Sequence, residues 1–326
     1  MLIDSYGRQL TYARIALTDK CNLRCTYCMP ESGLNWLKND MLLSTDELKR
    51  LLTVLREAGI EKIRFTGGEP TLRKDFESLV QFAFDELAFP KVSLTTNGTF
   101  SEAVREALIA RPWHSINFSL DSLDAATFQK ITLRESFESV YNNLMALINA
   151  RMNVRVNMVM LDSIEPEHIQ SMIELTRKSA VHVRFIEEMP FNGKQYSHGL
   201  KWNALHIQNE IKKQFPSFEA LPFQPGATSQ EFASPDFAGT VGIIAAFSRT
   251  FCGTCNRLRI TPEGAVKTCL YAPSSLSLRQ LLREGRSNEE IIHALEAAVL
   301  NKPKDGFAAE EMQSLKNYQS MATVGG

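Results

Sequence analysis

The 326-residue chain lacks an excess of charge of either sign. It has 36 Lys and Arg against 37 Asp and Glu, which gives a net charge of −1, and its pI is about 6.6. Proteins that bind nucleic acid or anionic membranes usually carry a basic excess. Met1–Arg8 is polar, so we expect no secretory leader, and no apolar run in the sequence is long enough to span a bilayer. We therefore expect a cytoplasmic protein with neither nucleic acid nor membrane as its partner.

Cysteine is scarce, and its six residues form two triplets. These are Cys21, Cys25 and Cys28, spaced C-x3-C-x2-C, and Cys252, Cys255 and Cys269, spaced C-x2-C-x13-C. A chain with 44% hydrophobic residues builds a core without disulfides. Structural zinc takes four ligands, and neither triplet has a nearby His to supply the fourth. Three thiolates hold three corners of a four-iron cube and leave one iron open, so two iron–sulfur sites fit this spacing better than two zinc sites.

Apolar, β-branched runs alternate with helical patterns six times in the first 190 residues. The predicted strands are Tyr12–Leu17, Glu61–Thr66, Lys91–Thr96, Ser115–Leu120, Asn153–Met160 and His182–Glu187. The predicted helices include Ser44–Gly59 and a last helix from near Ser287, each with a capping box, and Lys74–Leu87 and Glu165–Ser179. Arg257–Ile260 and Ala265–Cys269 flank a turn and are predicted to form a hairpin. The alternation predicts a parallel sheet, as either a partial barrel or a doubly wound sheet. Gly, Pro and Ser become frequent between Pro190 and Thr240, where we expect an excursion across the mouth of a barrel. The sequence therefore predicts two regions, residues 1–190 and 191–326.

Polar motifs follow the predicted strands. The first cysteine triplet follows strand one, Gly67–Pro70 follows strand two, Thr95–Gly98 ends strand three, and Ser119–Asp121 ends strand four. The carboxyl ends of parallel strands meet at one edge of a sheet, where binding sites are built. We expect Gly67–Pro70 to contact a ligand, because glycine lets the backbone approach closely and a carboxylate accepts from an ammonium group.

Several arginines lie where an unpaired charge is costly. Arg14, Arg64 and Arg155 lie within apolar strands, and a polyanionic ligand would compensate them. Arg257 and Arg259 alternate on a strand beside the second cysteine triplet, so they share a face. Guanidinium forks suit phosphate and the acceptor edge of guanine. The chain has no P-loop motif, so a nucleotide would be held in another way.

These motifs together resemble those of one family. C-x3-C-x2-C with Tyr27 before the third Cys, followed by Gly-Gly-Glu-Pro, is similar to the radical S-adenosylmethionine (SAM) superfamily. The segments Thr18–Pro30, Ile63–Arg73, Leu94–Gly98, Arg184–Glu187 and Phe251–Arg259, with the Gly-Gly end, resemble the GTP 3′,8-cyclase (MoaA) family of molybdenum cofactor biosynthesis. The likeness runs from about residue 5 to the end of the chain.

The resemblance implies an α/β fold with an incomplete (βα)6 radical SAM barrel. Its C-terminal region would carry a second iron–sulfur cluster, bind substrate and close the barrel. It implies two [4Fe–4S] clusters, one on each cysteine triplet, and SAM on the open iron of the first. The residues that match family SAM contacts are Tyr27, Gly68, Glu69, Ser119 and Met189. Those that match GTP contacts are Arg14, Arg64, Thr95, Arg155, Arg257 and Arg259.

The implied activity is that of a lyase that makes (8S)-3′,8-cyclo-7,8-dihydroguanosine 5′-triphosphate from GTP. A 5′-deoxyadenosyl radical derived from SAM would take the ribose 3′ hydrogen, after which C3′ would join guanine C8. The resemblance assigns catalytic roles to Arg257, Arg259, Gly325 and Gly326. Its implied partners are GTP, a low-potential electron donor such as flavodoxin or ferredoxin, and a downstream cyclic pyranopterin monophosphate synthase. It is also compatible with a homodimer.

One position departs from the family pattern. Arg155 stands where the family commonly has Lys, which keeps the charge but changes the reach and shape of the contact. Two alternative functions stay open from the residues alone. One is another radical SAM enzyme with an auxiliary cluster, such as a peptide modifier; the other is a zinc-binding protein without catalysis.

Overall fold

The computed structural model describes residues 1–30, 33–189, 199–224, 226–312 and 320–324. The strands are β1 Tyr12–Ala16, β2 Lys62–Thr66, β3 Lys91–Thr96, β4 Ser115–Ser119, β5 Val154–Met160, β6 His182–Glu187, β7 Glu219–Ala220, β8 Gln230–Ala233, β9 Thr240–Ile244, β10 Arg257–Ile260, β11 Ala265–Lys267 and β12 Leu276–Ser277. The helices are α1 Thr45–Glu57, α2 Phe76–Gln81, α3 Glu102–Ile109, α4 Ala125–Thr132, α5 Phe137–Asn149, α6 Pro166–Glu174, α7 Ala204–Gln214, α8 Leu278–Arg283, α9 Asn288–Leu300, α10 Gly306–Glu311 and α11 Met321–Val324.

Local sequence signals explain the clearest helix, α1. Ser44 accepts from the backbone N–H of Glu47, and Glu47 accepts from that of Ser44, which completes the predicted capping box. Leu48, Leu51 and Leu55 keep helical spacing and are buried. The same capping signal at Ser287 starts α9, so both predicted helix starts are confirmed.

One compact unit contains Met1–Cys21, Ser32–Thr95 and Cys252–Gly326. Its strands lie in the order β12-β11-β10-β1-β2-β3, and β10, β1, β2 and β3 run parallel. The predicted hairpin is present, because β11 pairs antiparallel with β10. The core strand β1 therefore lies between β2 and β10, and β10 follows the second cysteine pair along the chain.

The other compact unit contains Asn22–Glu31 and Thr96–Phe251. Its strands lie in the order β4-β5-β6-β9-β8-β7, and β4, β5, β6 and β9 run parallel. The predicted parallel pairing is therefore confirmed within each unit. Closure into a six-stranded barrel and the division at residue 190 stay predictions.

The region after residue 200 forms regular elements in spite of its Gly, Pro and Ser content. Asn203 caps α7, whose Ile207 and Ile211 are buried, and β8 pairs antiparallel with β9. A cap and helical spacing therefore give regular structure here despite the nearby turn residues, and an excursion across the barrel mouth stays a prediction.

Two helices differ in length from their predictions. A helix over Glu165–Ser179 was expected, but α6 ends at Glu174, and the Thr176 hydroxyl then donates to the carbonyl oxygen of Ile173. A helix over Lys74–Leu87 is α2 followed by a π-turn at Phe82–Glu86. Within the part of the chain that the structure describes, no helix is long and apolar enough to cross a bilayer.

Candidate functional site

The Gly-Gly-Glu-Pro loop packs against the segment that leads to Cys21. The backbone N–H of Gly68 donates to the carbonyl oxygen of Thr18, and that of Glu69 donates to Lys20, each at 2.8 Å. A Cβ on Gly68 would lie 2.3 Å from the Lys20 carbonyl oxygen and 2.5 Å from that of Asp19. Glycine is therefore required here because two backbone segments meet. The close neighbour of Gly68 in the structure is the chain itself, and contact of this loop with a ligand stays a prediction.

Glu69 is buried and makes local hydrogen bonds. Its Oε1 accepts from the backbone N–H of Thr71 at 3.2 Å and from the Thr71 hydroxyl at 2.7 Å. These bonds close the 3-10 turn Pro70–Leu72 and hold the loop in shape. Contact between Glu69 and the ammonium group of SAM stays a prediction.

The loop that carries Cys25 and Cys28 is anchored to the end of α4. The backbone N–H groups of Arg24 and Thr26 donate to the carbonyl oxygens of Thr132 and Ile131, at 2.9 and 3.0 Å. Within the loop, the N–H of Cys28 donates to the carbonyl oxygen of Cys25 at 2.9 Å. The two thiols are thereby held on one tight turn.

Tyr27 adds a side-chain anchor to the same loop. Its hydroxyl donates to Asp121 Oδ2 at 2.9 Å, and Asp121 Oδ1 accepts from the backbone N–H of Val159 at 2.8 Å. Burial raises the pKa of the Asp121 carboxyl to about 6. Burial and the neighbouring Asp121 raise the pKa of the Tyr27 phenol. The end of β4 therefore contacts the cysteine loop, as the order of the motifs predicts.

A row of cations crosses adjacent strands of the first unit. Arg14 on β1 stands in register with Arg64 on β2 and with Arg259 on β10, and Arg259 is in register with Lys267 on β11. We call Lys267, Arg259, Arg14 and Arg64 the cation row. Residues in register on neighbouring strands point to the same face, so these four charges are close neighbours.

The row is only partly compensated within the protein. Arg64 Nε donates to the Tyr12 hydroxyl at 2.8 Å, and its Nη1 lies 3.4 Å from Thr95 Oγ1. Arg14 Nε is buried without a hydrogen-bond partner among the described residues. Burial, together with Arg14 and Arg257, lowers the pKa of Arg259 to about 9. Burial and Arg259 lower the pKa of Lys267 to about 8. The row therefore favours an anion.

Tyr12 lies beside the cation row, two residues before Arg14 on β1, and its pKa responds to these charges. Burial would raise the pKa of its phenol, but Arg64, Arg14 and Lys62 outweigh that effect and lower the pKa to about 6. The ammonium of Lys62 also lies 4.8 Å from the centre of the Tyr12 ring. Tyr12 is thus a local hydrogen-bond acceptor that organises Arg64.

The second cysteine triplet lies in the same unit as the cation row. Cys252 starts a 3-10 turn, and the N–H of Cys255 donates to the carbonyl oxygen of Cys252 at 3.1 Å. Cys269 follows β11, which the hairpin brings back beside β10. Burial would raise the pKa of the Cys255 thiol, but Lys302 and Arg257 outweigh it and lower the pKa. These surroundings favour the thiolate, which is the form that binds iron.

The six cysteines are half-buried and form no disulfide in the described part of the chain. Among the same residues, no three Cys, His, Asp or Glu side chains are grouped as ligands of one metal ion. A four-iron cube needs no such grouping, because each of its thiolates binds a different iron. The donor set therefore fits iron–sulfur clusters in its chemistry: thiols on short turns, one of them with a cation at the sulfur.

The remaining predicted residues lie in the second unit, with Ser119 and Met189 at carboxyl ends of strands and Arg155 near the amino end of β5. Ser119 is the last residue of β4. Arg155 lies between Asn117 and His182 in register, and Met189 lies just beyond β6. Their contacts with SAM or GTP stay predictions. Gly325 and Gly326 lie outside the described residues.

Four residues at these sites were not found from the sequence: Tyr12, Asp121, Lys267 and Lys302. Asp121 follows a strand and was part of a motif, so its position could have signalled its role. Lys267 alternates with Cys269 after a turn, which is a weak signal. Lys302 lies in Asn-Lys-Pro-Lys, which reads as an exposed turn, yet the side chain is only 3% exposed.

Comparison with known families accounts for nearly the whole chain. The profile described as "Radical SAM superfamily" matches residues 15–176, and the profile "Molybdenum Cofactor Synthesis C" matches residues 181–308. The crystal structure of Streptococcus suis SuiB bound to S-adenosylmethionine is similar with a TM-score of 0.61. The two chains are 13% identical, and the match covers 91% of this chain and 69% of the SuiB chain. At this identity the similarity shows the fold alone.

Two curated relatives bracket the range of lengths. The chain is 37% identical over 321 residues to "Molybdenum cofactor biosynthesis protein 1" of Dictyostelium discoideum. This match covers 97% of this chain and 51% of that protein. The chain therefore spans about half the length of such relatives. It is 35% identical over 335 residues to "GTP 3′,8-cyclase" of Syntrophomonas wolfei, with 100% of both chains covered. The chain belongs to the GTP 3′,8-cyclase family within the radical SAM superfamily.

Proposed function

We propose that the chain is a GTP 3′,8-cyclase that starts molybdenum cofactor biosynthesis. The observation that carries this proposal is the cation row, which lies in the same unit as the second cysteine triplet. Of these four cations, Arg64 and Lys267 are buried, and Arg14 and Arg259 are half-buried. A substrate for a cluster beside them must be both anionic and able to bind iron. GTP meets both needs, with its triphosphate and the acceptor edge of guanine.

The energetics of the cation row support a polyanion in particular. Each buried cation carries a desolvation penalty, and each like-charged neighbour adds to it, as the lowered pKa values of Arg259 and Lys267 reflect. One phosphate would neutralise about one or two of the four charges, whereas a triphosphate matches the whole row. Among the residues of the row, Arg14 is the one that we most expect to contact the triphosphate directly, because its Nε has no described partner.

The chain's own residues would hold the cofactors and place the substrate. We propose that Cys21, Cys25 and Cys28 hold the first [4Fe–4S] cluster and that Cys252, Cys255 and Cys269 hold the second. A [4Fe–4S] cluster on the first triplet would, together with SAM, supply 5′-deoxyadenosyl radical chemistry toward the 3′ C–H bond of the GTP ribose. The Gly68 loop positions the segment before Cys21, and the Tyr27–Asp121 bond steadies the loop that carries Cys25 and Cys28. Arg257 and Arg259 orient the nucleotide beside the second cluster.

The remaining contacts complete the proposal. SAM is held by Tyr27, Gly68, Glu69, Ser119 and Met189, and GTP by Arg14, Arg64, Thr95, Arg155, Arg257 and Arg259. A low-potential flavodoxin or ferredoxin supplies the electrons, and a cyclic pyranopterin monophosphate synthase takes the product. Precise aim at one C–H bond is the main contribution of the protein, because a misplaced radical would attack elsewhere.

Anaerobic turnover tests the proposal. Reconstituted protein is incubated with dithionite and SAM, together with GTP in one arm and ATP in the other. We expect 5′-deoxyadenosine and a cyclised nucleotide to form together from GTP, and no cyclised product from ATP. Deoxyadenosine without consumption of GTP would favour another radical SAM reaction. A colourless protein that carries zinc after anaerobic purification would overturn the enzyme itself.

A further inference from the structure

Lys302 places a buried ammonium group at the second cysteine triplet. Its Nζ lies 3.8 Å from Cys255 Sγ and donates to the carbonyl oxygen of Arg257 at 3.0 Å. It also donates to the carbonyl oxygen of Thr268, the residue before Cys269. An ammonium group has three donors, and all three have partners here.

These partners connect both cysteine-bearing segments. Cys255 precedes β10 and Cys269 follows β11, so one side chain joins the two ends of the hairpin. Arg8 makes a parallel connection, since its Nη1 donates to the carbonyl oxygens of Cys252 at 3.3 Å and Lys304 at 2.7 Å. The segment around residues 302–304 is therefore built into the second thiol site from two sides.

The surroundings of Lys302 leave its charge without a carboxylate. Within the described part of the chain, Lys302 forms no ion pair with a carboxylate. Its neighbours are two carbonyl groups and a thiol sulfur. A buried cation of this kind is costly unless an anion lies nearby. The thiolates of a bound cluster would supply that anion.

We propose that Lys302 is a positioning residue of the second cluster, whose ammonium group donates to the Cys255 sulfur and raises the cluster's reduction potential. The proposal rests on the second cluster of the proposed function. Reduction adds one negative charge to a cluster, so a fixed positive charge stabilises the reduced form more than the oxidised form. Hydrogen bonds to cluster sulfurs act in the same direction.

The experiment separates this role from a purely structural one. The full chain is made with Cys21→Ala, Cys25→Ala and Cys28→Ala, so that only the second triplet binds iron. Lys302→Met, Lys302→Arg and Lys304→Met are each added to this parent. Lys304 is the matched control, because it is exposed and its loss changes the net charge by the same amount. Iron content and the midpoint potential, measured by EPR-monitored redox titration under anaerobic conditions, are the readouts.

We expect K302M to shift the midpoint to a more negative potential than that of the parent, K302R to stay near the parent, and K304M to leave it unchanged. If K302M loses its iron, its midpoint potential cannot be measured. In that case, a K302R variant that keeps its iron and the midpoint potential of the parent supports the role. An unchanged midpoint in iron-loaded K302M overturns the proposal, as does an equal shift in K304M. A parent without iron would instead refute the second cluster, which distinguishes the two failures.

Discussion

Substitution of Gly68 by Ala tests how tightly the first cluster depends on the Gly-Gly-Glu-Pro loop. The new Cβ would lie 2.3 Å from the Lys20 carbonyl oxygen, whereas real Cβ contacts stay at 3.0 Å or more. The backbone must therefore move by at least about 0.7 Å. Backbone atoms cannot swing aside as a flexible side chain can, so the movement reaches Cys21, the next residue along the chain.

The displacement is large compared with what a metal site tolerates. Ligand distances in a working site hold to within about 0.2 Å of their ideal values. The shift also strains the hydrogen bonds from Gly68 to Thr18 and from Glu69 to Lys20. Overpacking of this kind costs about 1–3 kcal/mol of folding free energy, which a domain of this size survives. We therefore expect G68A to fold but to bind the first cluster poorly.

Gly253→Ala is the matched control for this change. Gly253 lies between the two cysteines of the second C-x2-C motif, and an added Cβ there meets no atom within 4 Å. Neither glycine has a positive φ, so alanine causes no backbone strain at either position. The two variants therefore differ in the contact of the new methyl group.

Iron and sulfide analysis after anaerobic reconstitution is the assay. The parent and G253A should hold about eight irons per chain, as expected for two four-iron clusters, and G68A about four. SAM cleavage should be lost in G68A alone, while its urea midpoint falls only modestly. Parent-like iron content and SAM cleavage in G68A would refute the claim that backbone packing at Gly68 positions Cys21.

Further predictions concern the substrate, the cysteine loop and the chain end. Arg14→Met should weaken GTP binding by about ten- to a hundredfold in equilibrium dialysis, which is the value of one charge-assisted contact, because Arg14 Nε has no described partner within the protein. Parent-like affinity for GTP would contradict this. Burial raises the pKa of Asp121 from 3.8 to about 6, so the folded state binds the proton more tightly and stability falls as pH rises from about 4 to about 6. Asp121→Asn should lack that fall in urea titrations at pH 4.5 and 7, and equal pH dependence in both proteins would argue against it. Removal of Gly325 and Gly326 should abolish cyclisation but leave part of the SAM cleavage, and unchanged product formation would exclude a role for the tail.

Local signals in the sequence were sufficient to predict the parallel strand segments, the capped helices and both cysteine triplets. Each depends on residues a few positions apart, such as Ser44 with Glu47 or Cys252 with Cys255. The order of strands and polar motifs also predicted that the Gly68 loop and the cysteine loop lie at strand ends. The C-terminal end of α6 and the elements α7, β7 and β8 after residue 200 were not predicted, because helix ends and short edge strands depend on what packs against them.

The sequence by itself determined which chemistry the chain can perform, since thiols at cluster spacing and arginines beside them are visible as motifs. Only the tertiary structure decided which charges act together. Arg14 and Arg259 are 245 positions apart and become neighbours through the parallel pairing of β1 with β10. Lys267 joins them through the hairpin, and Lys302 reaches Cys255 from a segment with no motif. Register and burial come from contacts between distant parts of the chain, and no local pattern encodes them.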